Sequence, residues 1–403
     1  MKKCLILLLM LLMCLSGCGT LSQSDEISIV LLHGWGTMEE DNQAMREIYS
    51  EFEKDNPDIS LKMISMPSPE NVTSKVKEMI SVGKLPNLIY IGETGIDTLY
   101  SFMVTQGYVI DIMPYIEKDK EFQSMIAPET LMKWKTADGK LYTVTDVLNT
   151  GGYWYNKQIF ENAKIQKTPE NWKEFLECCK KIKQWAEQEK LDTVSMHLDY
   201  NTIECMMQSY IGDTDSDEKS ISEALKLLNE IKDYADVEKN YTYRDRLRSF
   251  NVGHSAIYAG GIDSEQKINP KLKMEYECFR TNNKDVAMVS AYPGYFIGSS
   301  SDTKQKEACI RFLKYMLSEK VQTKIWKKTG QIPSNPNVNI ADLSGQNDVI
   351  YEAYAKLKKA DIIRELPGND WDFEQREDFE ANSFRYLSGD ISEDEIVDSL
   401  KSK

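Results

Sequence analysis

The stretch ISIVLL (residues 27–32), followed by EDNQAMREIYSEFEKDNPD (40–58), ISLKMIS (59–65), PENVTSKVKEMISVG (69–83) and LIYI (88–91), decides the architecture. The first run is short and apolar and reads as a buried strand. Between Glu39 and Asn56, the residues Met45, Ile48, Tyr49 and Phe52 recur at helical spacing, and Pro57 stops the helix. Residues 59–65 form the next predicted strand. Residues 69–82 form a helix with Val72, Val76, Met79 and Ile80 on one face and Gly83 as its stop, and residues 88–91 form a third, buried strand. A βαβαβ order predicts a parallel sheet covered by helices and joined by right-handed crossovers.

The same logic extends outward. Asp138-Gly139 signals a tight turn between residues 134–136 and 140–144. Thr168-Pro169 reads as the capped start of a helix whose apolar stripe is Trp172, Phe175, Cys179, Ile182 and Trp185. Another helix starts at Ser220 and carries Ile221, Leu225, Leu228 and Ile231. One capped by Asp302 carries Ala308, Phe312, Tyr315 and Met316.

The chain has 403 residues, enough for about two domains. With 41% apolar and 10% aromatic residues it can fill sizeable cores. Its 64 acids outweigh 49 bases for a net charge of −15, which repels phosphate backbones and excludes nucleic acid as a partner. Residues 1–17 open with Lys2 and Lys3, continue through an apolar run over 4–15, and end just before Cys18. That run is too short to span a bilayer, which takes about 20 residues, so it reads as a secretory signal. Leu15-Ser16-Gly17-Cys18 resembles the bacterial lipobox, which implies lipid on Cys18 and a polar tether over 18–26. The protein is then expected at the outer face of a cell membrane.

With Cys4 and Cys14 cleaved off and Cys18 lipidated, five cysteines remain, Cys178, Cys179, Cys205, Cys278 and Cys309, in no zinc-type spacing, and no disulfide is assigned. His33, His197 and His254 lie far apart without HxxxH spacing, so no metal site or cofactor is expected. His33-Gly34 and Gly253-His254-Ser255 mimic hydrolase motifs. The second lacks the closing glycine, since Ile257 stands there, and no histidine follows Ser255 to serve as its base. Glu39, Glu40, Asp97, Asp146 and Asp199 could supply glycosidase carboxylates, yet spacing alone cannot pair them. No phosphate-cradling GxxxxGK[ST] loop is present. Catalysis is therefore not expected.

A set of ordered fragments carries a resemblance across more than 300 residues: EFEKDNPDISLKM (51–63), GKLPNLIYI (83–91), QGYVIDIMPYI (106–116), DGKLYTV (138–144), GGYWYNKQIFENA with TPENWKEF (151–163 and 168–175), FNVGHSAIYAGG (250–261), and EACIRFLKYMLSEKVQ with TGQIP (307–322 and 329–333). Together they resemble the extracellular solute-binding proteins of bacterial ABC importers, in the sugar-binding family that includes maltose-binding protein. Asn87 replaces that family's usual aspartate. The resemblance implies a two-lobed α/β fold of the periplasmic-binding-protein kind, with one lobe from 27–147 and 276–331 and the other from 148–275 and 332–403. It also implies a cleft that closes on a carbohydrate, an oligosaccharide by expectation, and a monomer that presents the closed form to a membrane permease.

Sugar sites combine planar polar side chains with aromatic rings. Trp35 and Glu93 follow the carboxyl ends of predicted strands, the crevice position of an open α/β sheet. Asn149 lies six residues before Tyr155 of the matched YNK motif, where maltose-binding protein has a sugar-binding carboxylate. The resemblance places Asp199 and Tyr200 in the second lobe's contribution and Asp263 where some relatives have a stacking tryptophan. Tyr295 and Trp371 are further aromatic candidates. Alternatives are the same fold serving a sensor kinase or binding a peptide or polyamine, for which the acidic balance leaves room, and, most remotely, a secreted hydrolase.

Overall fold

The computed structural model describes residues 26–92, 96–211, 218–237, 239, 241–262, 264, 268–338, 348–364 and 373–399. Residues 1–17, Cys18 and the tether up to Asp25 lie outside them. No described helix is long and apolar enough to cross a membrane.

The opening stretch folds as β1 (Ile27–His33), α1 (Glu40–Asp55), β2 (Ile59–Ser65), α2 (Pro69–Ser81) and β3 (Leu88–Ile91). β1 lies between its two successors and pairs parallel with both, from Ile27 opposite Ile59 to His33 opposite Ser65 on one side and Leu31 opposite Leu88 on the other. α1 presses Met45, Ile48, Tyr49 and Phe52, all fully buried, onto this sheet. α2 starts where Ser68 accepts a bond from the Asn71 amide and Pro69 takes the first turn.

The chain then passes through β4 (Val147–Gly151), β5 (Tyr153–Asn156), α3 (Trp172–Glu189), β6 (His197–Leu198), α4 (Tyr200–Ile211), α5 (Glu218–Ile231), β7 (Asp236–Val237), α6 (Tyr243–Asn251) and β8 (Ile257–Ala259). There follow β9 (Met274–Glu277), β10 (Phe279–Thr281), β11 (Lys284–Ala291), β12 (Gly294–Ile297), α7 (Thr303–Leu317), α8 (Glu319–Thr329), β13 (Ile332–Pro333), α9 (Asp348–Lys358), β14 (Ile362–Arg364) and α10 (Phe373–Ser388).

β12 joins the first sheet antiparallel to β3, giving the order β12-β3-β1-β2. A second sheet runs β10-β11-β4-β13, with β14 beside β11, and a third runs β8-β5-β9. One apolar core fills the first sheet and its helices, and reaches Trp154 and Tyr276. A second packs Tyr153, Trp172, Phe175, Phe279, Ile182 and Leu228. The molecule is a two-lobed α/β protein. All five cysteines are buried free thiols, and burial pushes Cys179 up to about 12.

Two local expectations are corrected. α3 begins at Trp172, not at Thr168-Pro169, because Asn171 takes the cap and accepts from the Glu174 amide at 3.0 Å. Asparagine caps at least as well as threonine, so the later start wins. The Asp138-Gly139 turn forms with Gly139 at φ 86°, but its flanks meet only at the Lys135–Leu141 bridge, since Trp134 already ends a short helix over Pro128–Trp134.

β9 pairs with β5, and the chain rejoins the first sheet at β12.

Candidate ligand site

At the carboxyl end of β1 the backbone turns sharply around Trp35. The Trp35 amide donates to Nδ1 of His33 at 3.1 Å, and Nε2 of the same ring bonds the Ser65 hydroxyl at 3.1 Å. Nδ1 thus acts as acceptor and Nε2 carries the proton. Burial, with Arg46 nearby, lowers the His33 pKa to about 4, so the ring stays neutral and serves as a fixed peg for the loop. Arg46 of α1 donates to the carbonyls of Trp35 and Thr37. Gly36 completes the turn: a Cβ there would sit 2.5 Å from the Met66 carbonyl oxygen. The Trp35 ring is half-buried and leans on Tyr90 with centroids 5.6 Å apart.

Two crossing segments are fastened together beneath this loop. Val144 and Tyr295 exchange both backbone bonds, at 3.0 and 2.8 Å, and Thr145 donates its hydroxyl to the Tyr292 carbonyl at 2.5 Å. The close approach depends on Gly294, at φ 70°, where a Cβ would lie 2.2 Å from the Val144 oxygen. Asp146, directly before β4, is thereby buried against Tyr295. Desolvation raises its pKa to about 7, partly offset by the Tyr295 hydroxyl. Tyr49 and Tyr295 are themselves pushed well above the ordinary tyrosine range, first by burial and then by the Asp146 charge.

The expected site residues therefore differ in what they can touch. Trp35 is half-buried. Asn149 lies on β4 opposite Ser290 of β11, half-buried, and its Nδ2 is buried without a hydrogen-bond partner. Tyr200 is half-buried against Phe379. Tyr295 is 1% exposed and bonds Tyr49 and Asp146, so it supports the loop from beneath and offers no face for stacking. Asp199 is 1% exposed, pairs with Nε of Arg246 at 2.8 Å and accepts from the Thr202 amide at the start of α4. Its lone pairs already serve the fold. Glu93, Asp263 and Trp371 lie outside the described residues.

Neither hydrolase mimic is open to a substrate. His33 and Ser255 are 0% and 1% exposed, and His33 is committed to Trp35 and Ser65. A shallow hollow lined by Tyr153, Trp172 and Phe279 holds none of the expected ligand residues and has essentially no room even for a water-sized sphere.

Residues not expected here are Tyr49 and Tyr90, Asp146, weighed only as a glycosidase carboxylate, and the trio His197, Asp236 and His254. Asp146 carried a signal, being the lone acid in the otherwise uncharged run LYTVTDVLNTGGYWYN (141–156). His197 meets Asp236 because β6 and β7 pair side by side, and His254 joins them because its carbonyl accepts from the Val194 amide, contacts that no linear spacing encodes.

The sequence profile of bacterial extracellular solute-binding proteins matches residues 47–357. The chain belongs to that family. Among relatives of this solute-binding protein, the "Multiple sugar-binding protein" of Streptococcus mutans is 22% identical over 331 residues, covering 77% of this chain and 76% of the relative. A Streptococcus pneumoniae solute-binding protein solved with the blood group A-trisaccharide superimposes with a TM-score of 0.74 at 21% identity, over 93% of this chain and 98% of the other. The sugar-binding protein MalE of Xanthomonas citri gives 0.75 at 18% identity, over 93% and 95%. The relatives are solute-binding proteins, not enzymes, and the fold of this one is theirs.

Proposed function

We propose that this solute-binding protein captures an oligosaccharide between its lobes and hands it to the permease of an ABC importer without altering it chemically, while lipid on Cys18 holds it at the outer face of the membrane. Two separate observations carry the reading: Trp35, at the carboxyl end of β1, is only half-buried, and Nδ2 of Asn149 on β4 is buried without a hydrogen-bond partner. A ring for C–H faces and an amide for hydroxyls are the two groups a sugar needs. The names of the relatives, which bind sugars, agree with this chemistry.

In this reading one lobe comprises residues 27–147 and 276–331 and the other 148–275 and 332–403, and the crossings near residues 147, 275 and 332 are the hinge. A ligand that touches both lobes favours the closed form by its differential affinity, and a permease can read that closure. The protein acts as a monomer. A second reading, a cationic peptide or polyamine ligand, is favoured by the net charge of −15.

A thermal-shift screen of glycans alongside polyamines and peptides tests both. At 100 times its Kd a true ligand adds about 2.7 kcal/mol of stability. A response to polyamines and to no glycan would replace the sugar reading with the second one.

A further inference from the structure

We propose that His197, Asp236 and His254 form a binding site for a divalent transition-metal ion of the zinc type, in the part of the molecule built on β6, β7 and the turn before β8. Each residue offers one ligand atom, and no two of these atoms are more than 4.8 Å apart. Nε2 of His254 lies 3.2 Å from Oδ2 of Asp236, and Nδ1 of His197 lies 3.7 Å from the same oxygen. Ligand atoms about 2.0–2.2 Å from a tetrahedral ion are separated by about 3.4 Å, so each imidazole already stands near that spacing from the Asp236 oxygen.

The decisive atom is Nδ1 of His197. The residue is 3% exposed, and this nitrogen is buried, has no hydrogen-bond partner, and faces the Asp236 carboxylate from beyond hydrogen-bond distance. A buried polar atom left without a partner is uncommon in a folded protein. An ion between the two would give that lone pair its partner.

The surroundings suit ligation. Nε2 of His197 bonds the Ser249 hydroxyl, which leaves Nδ1 free as the ligating atom once Nε2 carries the proton. Nδ1 of His254 lies 3.8 Å from the exposed Asp192, beyond hydrogen-bond distance, so that ring is held on this side by its Nε2 contact with Asp236. The two imidazole rings lie nearly parallel, with an interplanar angle of 29° and centroids 5.7 Å apart. His254 and Asp236 are partly open, with side chains 30% and 39% exposed, so an ion can enter from solvent and keep water as its fourth ligand. Two imidazoles and one carboxylate favour Zn²⁺ or Co²⁺ over Ca²⁺ or Mg²⁺, which prefer all-oxygen sets. Because β6 and β7 are a two-residue parallel pair with His197 opposite Asp236, a bound ion would clamp this short ladder to the turn carrying His254.

The test uses tag-free, EDTA-stripped protein titrated with Zn²⁺ alone, and then with Co²⁺ as a spectroscopic probe. The expected result is saturable binding of one ion per chain, a visible Co²⁺ spectrum of tetrahedral type, and a melting temperature that rises with Zn²⁺. Histidine ring signals should shift for His197 and His254 and stay fixed for His33, the internal control. Asp236→Asn and His254→Ala change partly exposed side chains, so the metal-free variants should melt close to the parent while losing at least about tenfold in Zn²⁺ affinity. Absence of one-to-one binding, or Zn²⁺ affinity unchanged in either variant, overturns the proposal.

Discussion

The Tyr295 hydroxyl donates to Oδ2 of Asp146 at 3.1 Å and accepts from the Tyr49 hydroxyl at 2.9 Å, so a fully buried carboxyl where two crossing segments meet is held by a chain of tyrosines and, among the described residues, no cation. Its pKa rises to about 7, against about 3.9 in the unfolded chain. Between these values the native protein keeps a proton that the unfolded chain has released, so this group makes stability fall as pH rises from about 4 to about 7. His33 acts in the opposite direction. Its native pKa of about 4 lies below the ordinary 6.5, so its contribution rises with pH up to about 6.5.

Asp146→Asn keeps the acceptor for Tyr295 and removes the buried charge. At about pH 8 the variant should be more stable than the parent by about 1–3 kcal/mol, within a ceiling near 4 kcal/mol set by a shift of about three pKa units. The gain should fade toward about pH 4, where the parent is protonated as well. Urea unfolding of both proteins across this range measures it, and a difference that does not change with pH would show that the carboxyl is not the titrating group.

The Asp199–Arg246 pair yields a prediction of the opposite character. Both side chains are nearly inaccessible, at 2% and 7% exposure, and Arg246 also donates to the Ala259 carbonyl at 2.5 Å. Removing one member strands a buried charge, which costs about 3–5 kcal/mol. Asp199→Ala should therefore melt well below the parent while the folded fraction keeps its ligand affinity. A loss of affinity with unchanged stability would return Asp199 to the ligand set.

What the sequence disclosed followed the range of each signal. The order and bounds of β1, α1, β2, α2 and β3 were legible because Met45, Ile48, Tyr49 and Phe52 mark one helix face and Pro57 and Gly83 punctuate the segments. Trp35 could be placed at a strand end from the same local pattern. Asp199 could not be recognised as a structural ion pair, because Arg246 lies on a different helix, and Tyr295 gave no sign that two other elements bury it. The histidine trio was hidden for the same reason: local periodicity names elements, and only their packing brings distant side chains together.

Anchoring can be tested apart from binding. With Cys18→Ser the chain should leave the membrane fraction for the soluble one while its ligand affinity stays the same, because the change lies outside the folded lobes. Retention of the variant in membranes after fractionation would mean that residues 1–17 remain attached and hold it there.

The last prediction separates ligand contact from packing at Trp35 and Asn149. Trp35 is half-buried on Tyr90, so Trp35→Ala should reduce stability by less than the roughly 3–5 kcal/mol expected for a fully packed tryptophan. Loss of a stacking face should weaken ligand binding by about 1–3 kcal/mol, or about 5- to 150-fold in Kd. Asn149→Ala removes a buried donor that has no partner in the protein. Its stability should be unchanged or slightly higher, because an unsatisfied buried donor costs about 1–3 kcal/mol, whereas affinity should drop by the 0.5–1.5 kcal/mol typical of one hydrogen bond, about 2- to 13-fold. Calorimetric titration with the glycan found by screening, together with a melt of each unliganded variant, reads both quantities. Stability lost at both positions with affinity intact would remove Trp35 and Asn149 from the cleft and move the ligand elsewhere between the lobes.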